Sequence, residues 1–309
     1  MSDKPKDPSD LNIEIAIKIA RFKTTFVPYP KHVELHERFD YLQQLGRHTR
    51  GHPQMGLRAL APSGSGKSTA AKAYMLRALE LRPPRGKTKP IIKVDLERAT
   101  TSKTLMISML NEMGDAYSAA GNEFTLKLRV LAALKRLETE LVIVDEVQHL
   151  IFRNGLKSDV TDTLKGMLDT GTVPMVFLGT DDAEPLFKSS IQLNGRLLAP
   201  CDLKPLNPKS PGDRDLFISF VARLEQNIVE LGILPERSDF NQLGLMSRLF
   251  VISSGVIGRV SRLFMAALEL ALRRGAHKLE PVDLAWATET WAIENKFVDH
   301  NPLREWLDG

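Results

Sequence analysis

Two short runs carry side chains suited to phosphate chemistry. The first, APSGSGKST at residues 61–69, follows an apolar stretch and opens a helical pattern, which is the strand–loop–helix context in which a Walker A loop works. Gly64 and Gly66 permit tight turns and close approach of the backbone to a phosphate. In this reading Pro62, Ser63, Gly64, Ser65, Gly66, Lys67, Ser68 and Thr69 surround the phosphates of ATP. Backbone amides of the loop and helix start face the β-phosphate, Lys67 neutralises the β/γ oxygens, and Ser68 presents its hydroxyl to Mg2+. The consensus opens with Gly, whereas this loop opens with Ala61. The alternative is a glycine-rich turn that binds nothing.

The second run, LVIVDE at 141–146, is an apolar strand ending in two acids. That pattern brings Asp145 to the carboxyl edge of a sheet, where it can hold Mg2+ through the ion's water shell. Glu146 points differently and is the candidate general base for the water that attacks the γ-phosphate. Two solvated strand-end charges would be the bland reading, but the loop upstream couples the motifs. His149 follows, and the other histidines offer no ligand set around it; it is expected to make local hydrogen bonds or packing contacts.

The elements that must position these groups alternate. Apolar runs at 56–60, 89–94, 141–144 and 174–178 are separated by amphipathic stretches at 67–81, 102–113, 124–138 and 156–169. Such alternation predicts a parallel sheet with crossover helices, and 199–203 is a candidate last strand. Helices are also expected at 11–22 and 34–48, with an ordered, extended FVPYPKH segment at 26–32 between them. Beyond the loop at 204–213 the strand-like runs cease, and helices are predicted at 214–231, 239–250, 256–274 and 281–295. The expected organisation is an N-terminal tail and helix at 1–24, an α/β nucleotide-binding domain at 25–205, a helical lid at 206–295 and a C-terminal tail at 296–309. That last tail reads as a surface segment, or as a docking peptide through Leu303, Trp306 and Leu307.

The 309 residues include 42 Lys and Arg against 38 Asp and Glu, a net charge of only +4, so the whole-chain balance favours polyanions weakly. Local clustering says more. Arg82, Arg85, Lys87, Lys89 and Lys93 follow one another without an acid, and Lys103 follows the second strand. Arg85, Lys87, Lys89 and especially Lys103 are candidate contacts to the phosphates of double-stranded DNA, and a solvated loop would explain the same run. Nothing resembles a base-reading motif, so such binding would be largely non-specific. Cys201 is the sole cysteine, which excludes an internal disulfide and fits a reducing cytoplasm. No apolar run has the length of a signal core or membrane span, so no membrane association is expected.

APSGSGKST, VDEVQHL, PMVFLGT and LNGRL in succession resemble the TniB/TnsC proteins, AAA+ ATP-binding transposition proteins related to IstB and DnaC-like helper ATPases. The similarity covers roughly residues 25–295, and VDEVQHL is its most particular part. The resemblance implies an α/β AAA+ P-loop NTPase fold with a parallel sheet flanked by helices and a smaller α-helical lid. It also implies an ATPase, slow and stimulated by assembly or DNA, that self-associates on DNA as a ring or helical filament, helps select the target and engages a transposase. A helicase-loader-like helper and a nucleotide-gated adaptor with little hydrolysis are alternatives. A small-molecule phosphotransferase is disfavoured by the Asp-Glu pair, the candidate finger and the helical lid.

By the same resemblance Thr180 is a polar sensor of the γ-phosphate, and Arg196 is an arginine finger reaching a neighbour's nucleotide. Arg259, in SSGVIGRVSRL at 253–263, meets the phosphates from the lid. Ordinary salt bridges would account for either arginine. Val27, Pro28 and Tyr29 are placed against the adenine, or are simply core.

Overall fold

Residues 8–150, 157–240 and 242–308 are described in the computed structural model of the chain. Residues 1–7 of the polar N-terminal tail and residue 156, expected to open a helix, lie outside them. The chain divides into two compact units. One comprises Pro30–Ser63 and Lys67–Lys204, the other the N-terminal segment to Tyr29, Gly64–Gly66 and Pro205 onward.

The first unit is α/β. Its elements are α2 (Pro30–His48), β1 (Gly56–Leu60), α3 (Lys67–Leu81), β2 (Ile91–Asp95), α4 (Ser102–Glu112), α5 (Glu123–Arg136), β3 (Leu141–Asp145), α6 (Lys157–Asp169), β4 (Met175–Gly179), α7 (Glu184–Ser189) and α8 (Ile191–Asn194). The four strands form one parallel sheet in the order β1-β4-β3-β2. Every residue of β3 and β4 is buried, as expected where crossover helices cover both faces and β-branched Val and Ile pack against them. Local chemistry sets the helix starts: Thr101 and Thr104 form a capping box at α4, and the Asn122 side chain accepts from Thr125 N at 2.9 Å at α5.

Two strand boundaries differ from expectation for one reason, proline's missing N–H. The run at 89–94 pairs only from Ile91, because Pro90 contributes its carbonyl alone, accepting from Glu140 N at 2.8 Å. The run at 199–203 follows β1 without being a regular strand. Leu198, Cys201 and Leu203 donate to Gly56, Arg58 and Leu60, so one extra residue is accommodated at Ala199–Pro200.

The second unit is helical: α1 (Pro8–Thr24), α9 (Pro211–Glu230), α10 (Leu243–Ser253), α11 (Ile257–Arg273), α12 (Pro281–Ala287) and α13 (Pro302–Asp308). On α11, Ile257, Val260, Phe264, Ala267, Leu268 and Ala271 are buried at the spacing of a single helical face. Both ends of the chain contribute to this core. Ile15 and Phe22 of α1 and Leu303 of α13 are buried in it, and Trp306 lies under the Arg248 guanidinium, 5.4 Å from ring centroid to Cζ. The expected tails are thus packed where they are described, although Leu307 is exposed. Among the described residues no single helix is long and apolar enough to cross a membrane.

Candidate nucleotide site

Parallel strands deliver their carboxyl ends to one edge of the sheet. Leu60 pairs with Gly179, and Asp95 with Asp145, so the loop after β1, the acids after β3 and Thr180 after β4 emerge together. Gly64 and Gly66 sit at φ +80° and +88°, where a side chain would be strained. Lys67 opens α3. Its buried ammonium donates to the carbonyls of Ala61 at 2.7 Å and Pro62 at 3.3 Å. Burial pushes the Lys67 pKa down, and the charges of Asp145, Glu146 and Asp181 oppose that shift. A desolvated ammonium at a helix start is suited to an incoming phosphate. Of the remaining loop residues, Ser65 is buried, Pro62 and Ser68 half-buried, and Ser63 and Thr69 exposed.

Asp145 is buried, and its Oδ1 accepts from Glu146 N at 2.9 Å. Its Oδ2 lies 2.8 Å from Lys93 Nζ as an ion pair but has no aligned hydrogen-bond donor. A buried carboxylate oxygen with spare acceptor capacity, together with a hydroxyl at Ser68, fits Mg2+ held partly through water. Glu146 takes a left-handed backbone, φ +61°. Its carboxylate accepts from Gln148 Nε2, and Gln148 Oε1 accepts from Thr180 N at 3.0 Å. The Thr180 hydroxyl donates to Asp182 at 3.0 Å. His149 Nδ1 is 2.9 Å from the Leu96 carbonyl, a local hydrogen bond. Among the described residues no cluster of three His, Cys, Asp or Glu could hold a metal.

Lys93 corrects the reading of the basic run. It is buried, and its ammonium bridges Asp145 and Asp95, so it is not a surface charge. Burial works to lower its pKa, but the two carboxylates outweigh burial and the net shift is upward. The other basic residues are exposed but not together. Arg85, Lys87 and Lys89 precede β2, whereas Lys103 follows it at the start of α4. Lys89 Nζ donates to the Glu112 carbonyl at 2.8 Å.

Arg196 is at the other edge of the sheet. Its carbonyl accepts from Gly56 N, at the amino end of β1, and its Nε makes a 2.6 Å ion pair with Asp169. A five-residue strand spans about 17 Å, so Arg196 is remote from its own loop.

In the helical unit Arg259 is the notable cation. Gly258 is obligatory beside it, since a Cβ there would stand 2.0 Å from Gly64 O. The Arg259 Cγ lies 3.3 Å from where a Gly64 Cβ would be. Its guanidinium stacks 4.4 Å from the centroid of Phe297, and its buried Nε has no hydrogen-bond partner. Among the described residues no carboxylate pairs with it, and burial pushes its pKa down. Tyr29 is buried edge-on against Phe220, with Val27 packed on the same core.

Sequence reasoning missed Lys93 and Gln148 as site residues. The signal for Lys93 was present: a lysine inside IIKVD, two residues from Asp95, shares one face of a strand with it.

The family model for the bacterial TniB protein matches residues 18–205. No curated protein matches the chain. Several solved structures are similar in fold. The Aeropyrum pernix ORC2 protein, solved as ADPNP-ADP complexes, has a TM-score of 0.63 and 16% identity over 87% of this chain and 71% of that one. Cdc6p from Pyrobaculum aerophilum has a TM-score of 0.59 and 12% identity, over 87% and 70%. Drosophila ORC bound to DNA has a TM-score of 0.54 and 13% identity, over 93% and 68%. These likenesses establish an AAA+ fold.

Proposed function

Because this chain belongs to the TniB family, we propose that it is an ATP-dependent regulator of DNA transposition. It binds ATP with Mg2+, self-associates on double-stranded DNA as a ring or helical filament, helps select the target and engages a transposase, and hydrolysis controls the assembly. The observation that carries the nucleotide reading is the buried Lys67 ammonium at the start of α3, acted on by the charges of Asp145 and Glu146.

In this reading the loop amides and Lys67 hold the β- and γ-phosphates. Ser68 and Asp145 hold the metal, whose chemistry, when bound, is neutralisation of phosphate charge. Glu146 accepts the proton of the attacking water, and Thr180 reports the γ-phosphate. Arg259, a desolvated guanidinium with no carboxylate partner among the described residues, gives the phosphates a further charge-assisted contact. Val27 and Tyr29 border the adenine from the segment that enters the helical core. The distance of Arg196 from its own loop supports its serving a neighbouring subunit, with release from Asp169 as the accompanying step. Arg85, Lys87 and Lys89 at one end of β2 and Lys103 at the other contact DNA phosphates as two separate patches, without reading bases.

The test is fluorescence anisotropy of a labelled duplex titrated with protein, in a non-hydrolysable ATP analogue, in ADP and without nucleotide, over a salt series. Binding is expected only with the analogue, weakening steeply with salt and equal for unrelated duplexes. Equal affinity in all three nucleotide states would contradict the proposal.

A further inference from the structure

One polar side chain of the VDEVQHL run has no task in the mechanism above. Gln148 lies on the single turn Val147–His149 that follows β3, and both ends of its amide are engaged. Nε2 donates to the Glu146 carboxylate, and Oε1 accepts from Thr180 N at 3.0 Å. A primary amide serves both, whereas a carboxylate has no donor for Glu146 and an ammonium has no acceptor for the Thr180 amide. Among the described residues no other side chain donates a hydrogen bond to the Glu146 carboxylate.

The neighbouring backbone is built around this link. A Cβ on Gly179 would stand 2.8 Å from Gln148 Oε1 and 2.8 Å from Val147 Cγ2, so the last residue of β4 has to be glycine for the amide to reach across. Glu146 takes a left-handed backbone, φ +61°, a conformation that persists where surrounding contacts hold it.

We propose that Gln148 is the positioning residue for Glu146: it fixes the carboxylate in one orientation and ties it to the backbone of the γ-phosphate sensor. Loss of the amide frees the Glu146 side chain to rotate, and a misplaced base slows the chemical step without altering how nucleotide is held. The inference rests on Glu146 being the general base.

The experiment measures single-turnover ATP hydrolysis with duplex DNA, and affinity for a non-hydrolysable analogue. It compares the unaltered chain with Gln148→Ala, Gln148→Leu, Glu146→Gln and the double variant Glu146→Gln/Gln148→Ala. Gln148→Leu keeps most of the side-chain volume, so a packing loss on shortening is read separately. Both Gln148 variants are expected to hydrolyse about 10-fold more slowly with analogue affinity within about 2-fold. The double variant is expected to be no slower than Glu146→Gln alone, because Gln148 acts only through Glu146.

Unchanged or faster hydrolysis in both Gln148 variants overturns the proposal. So does a loss of analogue affinity equal to the loss of rate, or a double variant slower by the full Gln148→Ala factor. Hydrolysis by Glu146→Gln at the unaltered rate sinks the general-base assignment and this inference with it, and absence of turnover in the unaltered chain counts against both.

Discussion

Replacing Lys93 with Met retains the apolar stem and removes the charge between two strand ends. Lys93 Nζ is 2.8 Å from Asp145 Oδ2, with side-chain exposures of 6% and 1%. At an effective dielectric of about 20 that attraction is about 6 kcal/mol, and much of it offsets the removal of both ions from water. What the variant reads is the cost of stranding a buried carboxylate, about 3–5 kcal/mol. Asp95 is 64% exposed, stays hydrated without its partner and adds little. For a unit of this size each kcal/mol is about 2–4 °C, so Tm is expected to fall by about 10 °C.

The sign with pH follows from the upward shift of Lys93, in which two carboxylates outweigh burial. A raised lysine pKa contributes stability that is fully present below the ordinary value of about 10.4 and is lost as pH rises through the folded-state value. The deficit of Lys93→Met should therefore be nearly constant between about pH 7 and 9. Calorimetric unfolding with and without MgCl2 checks this, with Mg2+ expected to recover part of the loss in the variant. A Tm within about 2 °C of the unaltered chain would refute the reasoning, since the mechanism requires a stranded charge.

Lys67→Ala is expected to weaken binding of a fluorescent ATP analogue by at least about 10-fold, whereas Glu146→Gln retains binding and loses about 100-fold or more in hydrolysis. Arg259→Gln is expected to lower ATP affinity by about 10-fold while costing only its stacking on Phe297, about 1 kcal/mol or a few °C in Tm; thermal unfolding and titration separate the two. Arg196→Ala breaks a half-exposed pair with Asp169 and is expected to cost less than about 1 kcal/mol. If Arg196 acts in a neighbour, mixing Arg196→Ala with Glu146→Gln subunits restores part of the hydrolysis that each lacks alone. Burial raises the Glu225 pKa against a hydrogen bond from Phe240 N, which penalises folding above the unfolded carboxylate value. Glu225→Gln should therefore unfold at a higher temperature than the unaltered chain at pH 7, with the gap closing below about pH 4.

The sheet was legible because buried parallel strands are near-continuous apolar runs, and the glycine-containing loop between β1 and α3 because its residue types follow such a run directly. What sequence did not show was pairing across strands. Lys93 read as one more cation after Lys89 until β2 was set beside β3, which placed it against Asp145. Gln148 was hidden for a related reason: Thr180 is distant in sequence and reaches it only because β4 lies next to β3. The chain ends were read from polarity around a few apolar residues. The pattern at 11–22 predicts a helix, but a helical pattern does not reveal which core the helix joins. Leu303 was offered as a docking contact and is instead buried within the helical unit. In each case composition gave the side chain's character, and only the tertiary partner gave its role.

Electron microscopy of the full chain with duplex DNA, in a non-hydrolysable ATP analogue, in ADP and without nucleotide, tests the central claim most directly. Rings or filaments on DNA with the analogue alone are the expected result, with Arg196 of one subunit facing the phosphate loop of the next. Single, unassembled protein in all three states, or assemblies indifferent to nucleotide, would contradict it.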